Sequence, residues 1–212
     1  MTFLPPAFAR DPATSLYDDQ RAAEYDGWCP CVGRFAYRNQ PGWAEEVDRL
    51  VELVSAVPPT RTPDVACGSD FLTRHLRGLA VGLDQSRAMV ALTQLRQPDG
   101  LARMGDALDL PFADRSFDRI LTGHFYGHLS GDECDAFLAG ARRGASELVV
   151  VDSALREDQE PEQWQERVLN DGSRHQVQAL PRRPAAGRRN RRPRAAGRHL
   201  VSRRAHDSTS GE

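Results

Sequence analysis

Val47, Leu50, Val51 and Val54 follow the i, i+3, i+4, i+7 rule of an amphipathic helix, which the sequence begins near Trp43 and stops at Pro58-Pro59. The first 40 residues are less regular. They predict one helix, over residues 15–25, that turns Leu16, Ala23 and Tyr25 toward a common surface. Beyond Pro59 the period changes to short apolar runs, which predict strands at 62–67, 79–83, 101–104, 118–122 and 148–151. Val149-Val150-Val151 is the most β-prone of these. Between the second and third strands, residues 86–96 predict a helix capped by Ser86, with Met89, Leu92 and Leu95 facing inward. Between the fourth and fifth, residues 130–143 predict another, opened by a Ser130/Glu133 capping box and buried through Phe137, Leu138 and Ala141. The β-α-β alternation implies an α/β fold, an open and mostly parallel sheet with helices on both faces. Ligand chemistry in such sheets gathers at the carboxyl ends of the strands.

Composition divides the chain further. It holds 28 arginines and no lysine, and residues 174–212 carry 11 of those arginines against only Asp207 and Glu212. The body is acidic and the tail basic. No Phe, Tyr or Trp follows Trp164, and the Arg/Pro/Ala/Gly bias after Gln178 predicts disorder. Three segments result: a lid-like stretch at 1–42, the α/β domain at 43–175, and an Arg/Pro-rich tail at 176–212. The abrupt bias is what a GC-rich coding sequence yields in a shifted frame, so the tail is expected to arise from a frameshift near Gln176. Translating the two other forward frames checks this. No run approaches the roughly 20 apolar residues of a membrane span, and the amino terminus lacks a signal peptide's basic start and apolar run, which predicts a cytoplasmic protein without membrane partners. Cys29, Cys31, Cys67 and Cys134 read as reduced thiols, and no metal site is expected.

The chemistry concentrates at three successive strand ends. The first is Asp64-Val65-Ala66-Cys67-Gly68-Ser69-Asp70, an acid followed by small residues that let a ligand approach the backbone. The second is Leu83-Asp84-Gln85-Ser86, and the third Gly105-Asp106-Ala107. The G-x-G-x-x-G of nicotinamide enzymes is absent. Together with the run 116–124, these segments resemble the motifs of class I S-adenosylmethionine-dependent methyltransferases, most closely the type 11 small-molecule branch. The resemblance spans about residues 20–155. It implies a Rossmann-like sheet of order 3-2-1-4-5 whose final two strands are here missing or degraded, and S-adenosylmethionine as cofactor. It places Asp64, Ala66 and Gly68 in the glycine-rich turn and Asp84, with the adjacent Gln85, at the ribose hydroxyls. Asp106 falls at the adenine amino group and Ala107 at the adenine ring.

For the methyl acceptor, an undetermined small molecule, the candidates are His124, Tyr126 and His128 just beyond the fourth strand, with Asp152 ranked lower. A histidine titrating near neutrality suits removal of an acceptor proton. Three departures from the family pattern stand out: Ala66 and Asp70 replace glycines, and Pro63 cannot donate to a central ladder. Asp70 is expected to oppose the carboxylate of the cofactor's methionine part, so Asp70→Gly should strengthen binding. The alternatives are a catalytically impaired remnant or binding domain and, ranked last because no aromatics are interleaved for base stacking, a nucleic-acid arm formed by the tail.

Overall fold

The computed structural model describes residues 8–38, 41–97, 99–153, 163–179, 194–196 and 199–205. Its main sheet runs β3-β2-β1-β4-β5-β9-β8. The five parallel strands are β1 (Thr60–Val65), β2 (Gly78–Asp84), β3 (Leu101–Met104), β4 (Phe117–Gly123) and β5 (Ala145–Ser153). Their order is the 3-2-1-4-5 implied by the resemblance. Helices α1 (Pro12–Arg21), α2 (Trp43–Ser55), α3 (Arg87–Arg96) and α4 (Gly131–Gly144) complete the layers.

Strand alternation explains why the two faces need different helices. Ile120 and Leu148 pack with Phe137 and Ala141 of α4, whereas Leu121, Val149 and Val151 pack with Leu50 and Val54 of α2. A strand covered on both faces has no polar side, hence the unbroken Leu148-Val149-Val150-Val151 run. The capping box of α4 is formed: Glu133 N–H donates to Ser130 Oγ, and Ser130 N–H to Glu133 Oε2 at 2.8 Å.

Two helices are rotated from the predicted faces. On α3, Met89, Val90 and Thr93 are buried while Leu95 is 78% exposed, because burial follows 86, 89/90 and 93. On α1, Thr14 and Tyr17 are buried and Leu16 faces solvent, and Ala23 is exposed in the 3-10 turn Ala22–Gly27 that follows. Asp11 starts α1 by accepting from Ala13 N–H at 2.9 Å.

Pro63 is accommodated in the central strand by a side chain. The β1–β4 pairing covers only Asp64–Leu121 and Val65–Thr122. Two residues before Pro63, the Arg61 N–H instead donates to Asp118 Oδ2 at 3.1 Å, and the Arg61 guanidinium grips both oxygens of the same carboxylate.

Two further features were not expected. The sheet edge beyond β5 is paired, because β9 (His199–Ala205) lies antiparallel along Glu147–Ser153 and β8 (Arg194–Ala196) pairs with β9. Two further strands are therefore present, β9 as long as β2 and β4 and β8 of three residues. A ladder is made by main-chain groups, so an Arg-rich composition does not forbid it. The predicted disorder of the tail otherwise falls on 180–193, 197–198 and 206–212, outside the described residues. Separately, β6 (Gln163–Val168) and β7 (Arg174–Ala179) form an antiparallel hairpin.

Ser86 is fully buried at the head of α3, where its Oγ accepts from Met89 N–H at 3.1 Å. The same hydroxyl donates to Asp19 Oδ1 of α1 at 2.5 Å, and Ala88 N–H donates to that oxygen at 3.1 Å. Ser86→Ala is expected to cost about 1–2 kcal/mol in urea unfolding, since it removes both the cap and the tie to α1.

Candidate functional site

A cavity of about 450 Å³ opens over the carboxyl ends of β1, β2 and β4. Its floor comes from strand ends and the turns after them: Asp64 in β1 with Ala66 and Gly68 after it, Asp84 closing β2 with Gln85 after it, and Gly105 and Ala107 after β3. His124 and His128 line the end next to β4. Its roof is made by the N-terminal segment, through Arg21, Tyr25 and Trp28, and by the β6–β7 hairpin, through Arg167, Leu169 and Val177. The two halves of the roof meet: Tyr17 packs with Leu169 and Val177, and Asn170 N–H donates to Glu24 Oε1 at 2.9 Å.

The backbone of the first turn is unusual. Ala66 has φ +60° and Gly68 φ +55°, so a left-handed conformation is held at two positions of which only one is glycine. What holds it is Asp84, whose Oδ2 accepts from Gly68 N–H at 2.9 Å while Oδ1 accepts from Ser86 N–H at 2.9 Å. One carboxylate thus joins the first turn to the head of α3. His124 is left-handed as well, at φ +54°; its N–H donates to Val151 O at 2.8 Å, and its ring stands edge-on to Trp28 at 5.2 Å. Strain of about 1–2 kcal/mol at such a residue persists where surrounding structure fixes it, and it points to a site.

Burial governs the electrostatics. Asp64 is buried, and burial raises its pKa to about 7, with Asp84 and Asp70 adding to the rise and a hydrogen bond from Thr73 opposing it. Thr73 Oγ1 donates to Asp64 Oδ2 at 2.7 Å, and Oδ1 is buried with no hydrogen-bond partner among the described residues. Burial, with help from Asp18, also raises Asp84 to about 6. Asp18 is itself pushed up by burial, against the pull of Arg21, which it pairs with at 2.9 Å. Arg21 also lies over the rings of Tyr17 and Tyr25, at 4.7 and 4.5 Å. Burial holds the Tyr25 phenol protonated, raising it to about 12.

Of the residues singled out in the sequence, Asp64, Ala66, Gly68, Asp84, Gln85, Ala107, His124 and His128 share this cavity. Asp106 and Tyr126 do not line it. The Asp106 carboxylate takes Arg10 Nε at 2.8 Å and Leu108 N–H at 2.7 Å, and Tyr126 packs against Phe137 in the core. Asp70 corrects a second expectation. Its buried carboxylate turns away from the cavity to Arg74, at 2.9 Å, and Arg96, at 3.5 Å, so it is neutralised and opposes no ligand. Asp152 accepts from Gly127 N–H at 2.5 Å, holding the 3-10 turn Tyr126–His128 against the end of β5.

The sequence offered 1–42 as a lid-like stretch, but gave the β6–β7 hairpin no role and did not say which side chains reach the cavity. Trp28, Phe35, Arg167 and Leu169 reach the cavity from opposite ends of the chain, and no local spacing announces that. Besides Tyr25, the i,i+3 pair Asp18 and Arg21 on α1 carried a readable signal.

Residues 63–146 match the family described as "Methyltransferase domain". A demethylmenaquinone methyltransferase of Thermotoga maritima is 38% identical over 87 residues, which cover 39% of this chain and 38% of that relative. The chain thus spans about a third of the length of the curated relatives it matches. Among solved structures, the DhpI-SAH complex is similar over 92% of this chain and 96% of its own, at TM-score 0.69 and 21% identity. The DhpI-SAM-HEP complex is similar over 82% and 83%, at TM-score 0.63 and 26% identity.

Proposed function

We propose that this chain, whose residues 63–146 match a methyltransferase domain and whose sheet has the order 3-2-1-4-5, is a class I S-adenosylmethionine-dependent methyltransferase that transfers a methyl group from S-adenosylmethionine to a small molecule. The observation that carries the reading is the clustering of Asp64, Gly68 and Asp84 around one cavity at adjacent strand ends. The residues present suit the cofactor. Asp64 offers a buried oxygen without a partner, which an ammonium or another N–H donor would satisfy. Asp84 retains acceptor capacity on both oxygens after serving Gly68 and Ser86, enough for a ribose diol. Gln85, Gly105 and Ala107 line the same end, where an adenine ring would lie.

When bound, the cofactor supplies an already activated methyl group, so the protein's work is positioning and proton removal. The roof excludes water with Trp28, Phe35 and Leu169. His124 and His128 stand at the acceptor end, where an imidazole can take the proton of an O–H or N–H nucleophile. Tyr126 then supports the turn through its packing instead of contacting the acceptor.

Titration calorimetry with S-adenosylmethionine tests the reading. Saturable binding at one site per chain is expected, and no heat above dilution would overturn it. His128→Ala and His124→Ala are each expected to lower turnover about 10²–10⁴-fold with cofactor affinity within about twofold. Unchanged turnover would remove that histidine from the chemistry.

A further inference from the structure

We propose that the acceptor is a small acid, and that Arg167 binds its anionic group while His124 and His128 face the oxygen to be methylated. This rests on the methyltransferase reading and deepens it. Two guanidinium groups line the cavity. Arg21 is committed, since it pairs with Asp18 and stacks over Tyr17 and Tyr25. Arg167 is held differently: among the described residues its side chain donates one hydrogen bond, from Nη2 to the neutral Gln165 Oε1 at 2.5 Å, and pairs with no carboxylate. Its neighbour Glu166, which also lines the cavity, is occupied by Arg174 at 2.6 Å. Arg167 therefore keeps most of its five donors and its full charge for whatever enters.

Position makes that charge selective. Arg167 sits on β6, paired in register with His175 of β7, and the hairpin packs against the 3-10 turn that carries His128. Besides Asp64 and Asp84, the cavity is thus lined by two imidazoles and by one guanidinium that, among the described residues, pairs with no carboxylate. Asp64 and Asp84 suit a cationic ligand and Arg167 an anionic one, so two ligands of opposite charge both find partners in one cavity. A guanidinium is matched in shape to the paired oxygens of a carboxylate or a phosphate-type group. In the transfer, an acceptor oxygen lone pair forms the new O–CH₃ bond while the S–CH₃ bond breaks toward sulfur, leaving a neutral thioether. If the nucleophile is a hydroxyl, its proton passes to an imidazole nitrogen; if it is an acid oxygen, no proton moves.

The test uses the full chain, with S-adenosylhomocysteine titrated first, then inorganic phosphate and glycolate titrated into that complex, with ethylene glycol as the uncharged control. Phosphate or glycolate is expected to bind saturably, ethylene glycol not to bind, and Arg167→Gln to weaken the anion at least about tenfold with S-adenosylhomocysteine affinity within about twofold. Arg167→Lys, which keeps the charge but loses the fork, should fall between. Equal anion affinity in parent and Arg167→Gln overturns the proposal, as does saturable binding of a short-chain quinone in place of either anion. Absence of S-adenosylhomocysteine binding overturns the methyltransferase reading instead. A melting curve for each variant shows that a lost heat is not a lost fold.

Discussion

Asp84→Ala is expected to lower S-adenosylmethionine affinity by about a hundredfold or more, the largest single effect at this site, because two losses coincide. The ribose hydroxyls lose their acceptor, and the first turn loses the carboxylate that fixes it. Gly68 N–H and Ser86 N–H are both satisfied by this one group. Removing it frees the Ala66–Gly68 segment to leave a left-handed conformation that alanine disfavours. A cycle separates the two contributions: parent and variant are each titrated with 5′-methylthioadenosine and with its 2′-deoxy analogue. If Asp84 acts on the ribose, the parent discriminates between these nucleosides and the variant does not. Discrimination unchanged in the variant would leave Asp84 as a support for the turn alone.

How far the sequence could be read follows from which features are local. Asp84 was visible because it ends an apolar run and Asp64 because it is an acid followed by small residues, and the sheet order brings their strands side by side in register. Ser86 and the Ser130/Glu133 box were visible because a cap is a relation between residues three apart. The inward face of α3 was misjudged because Leu95 continues the apolar pattern but falls past the strands that would cover it, at β3, a four-residue edge strand. Asp70 was misread because its position in the turn was legible while its direction was not. That direction is set by Arg74 one turn later and by Arg96 across the fold, and the second of these has no sequence signature. The junction of the lid-like stretch with the hairpin was illegible for the same reason, since Tyr17 meets Leu169 and Val177 only after the sheet has formed beneath them. The pairing of β9 with β5 was hidden by composition, which describes side chains, whereas the ladder is main chain.

Asp64 leads to the second large effect, in which stability and binding move in opposite directions with pH. Burial raises its pKa to about 7, and that of Asp84 to about 6, against about 3.9 for an aspartate in the unfolded chain. A carboxyl whose folded pKa is raised holds its proton in the folded state, so its contribution to stability is full below about pH 4 and is lost as pH rises through 6 to 7. The ligand-free protein is therefore expected to be about 2–4 kcal/mol less stable at pH 8 than at pH 5, read by urea unfolding. Asp118, which Arg61 holds below the usual range by hydrogen bonding, contributes in the opposite sense but only at more acid pH, outside this window. S-adenosylmethionine carries a net positive charge at neutral pH and favours the ionised pair, so its affinity should rise across the same interval. Asp64→Asn separates the two trends. It cannot ionise and keeps an acceptor for Thr73, whose hydroxyl donates to Asp64 at 2.7 Å. The variant should unfold with a flatter pH dependence, be more stable than the parent at pH 8, and bind the cofactor more weakly there. A variant that is less stable than the parent at pH 8 would show that the Asp64 charge is compensated in the free protein, and the opposition between stability and binding would fall with it.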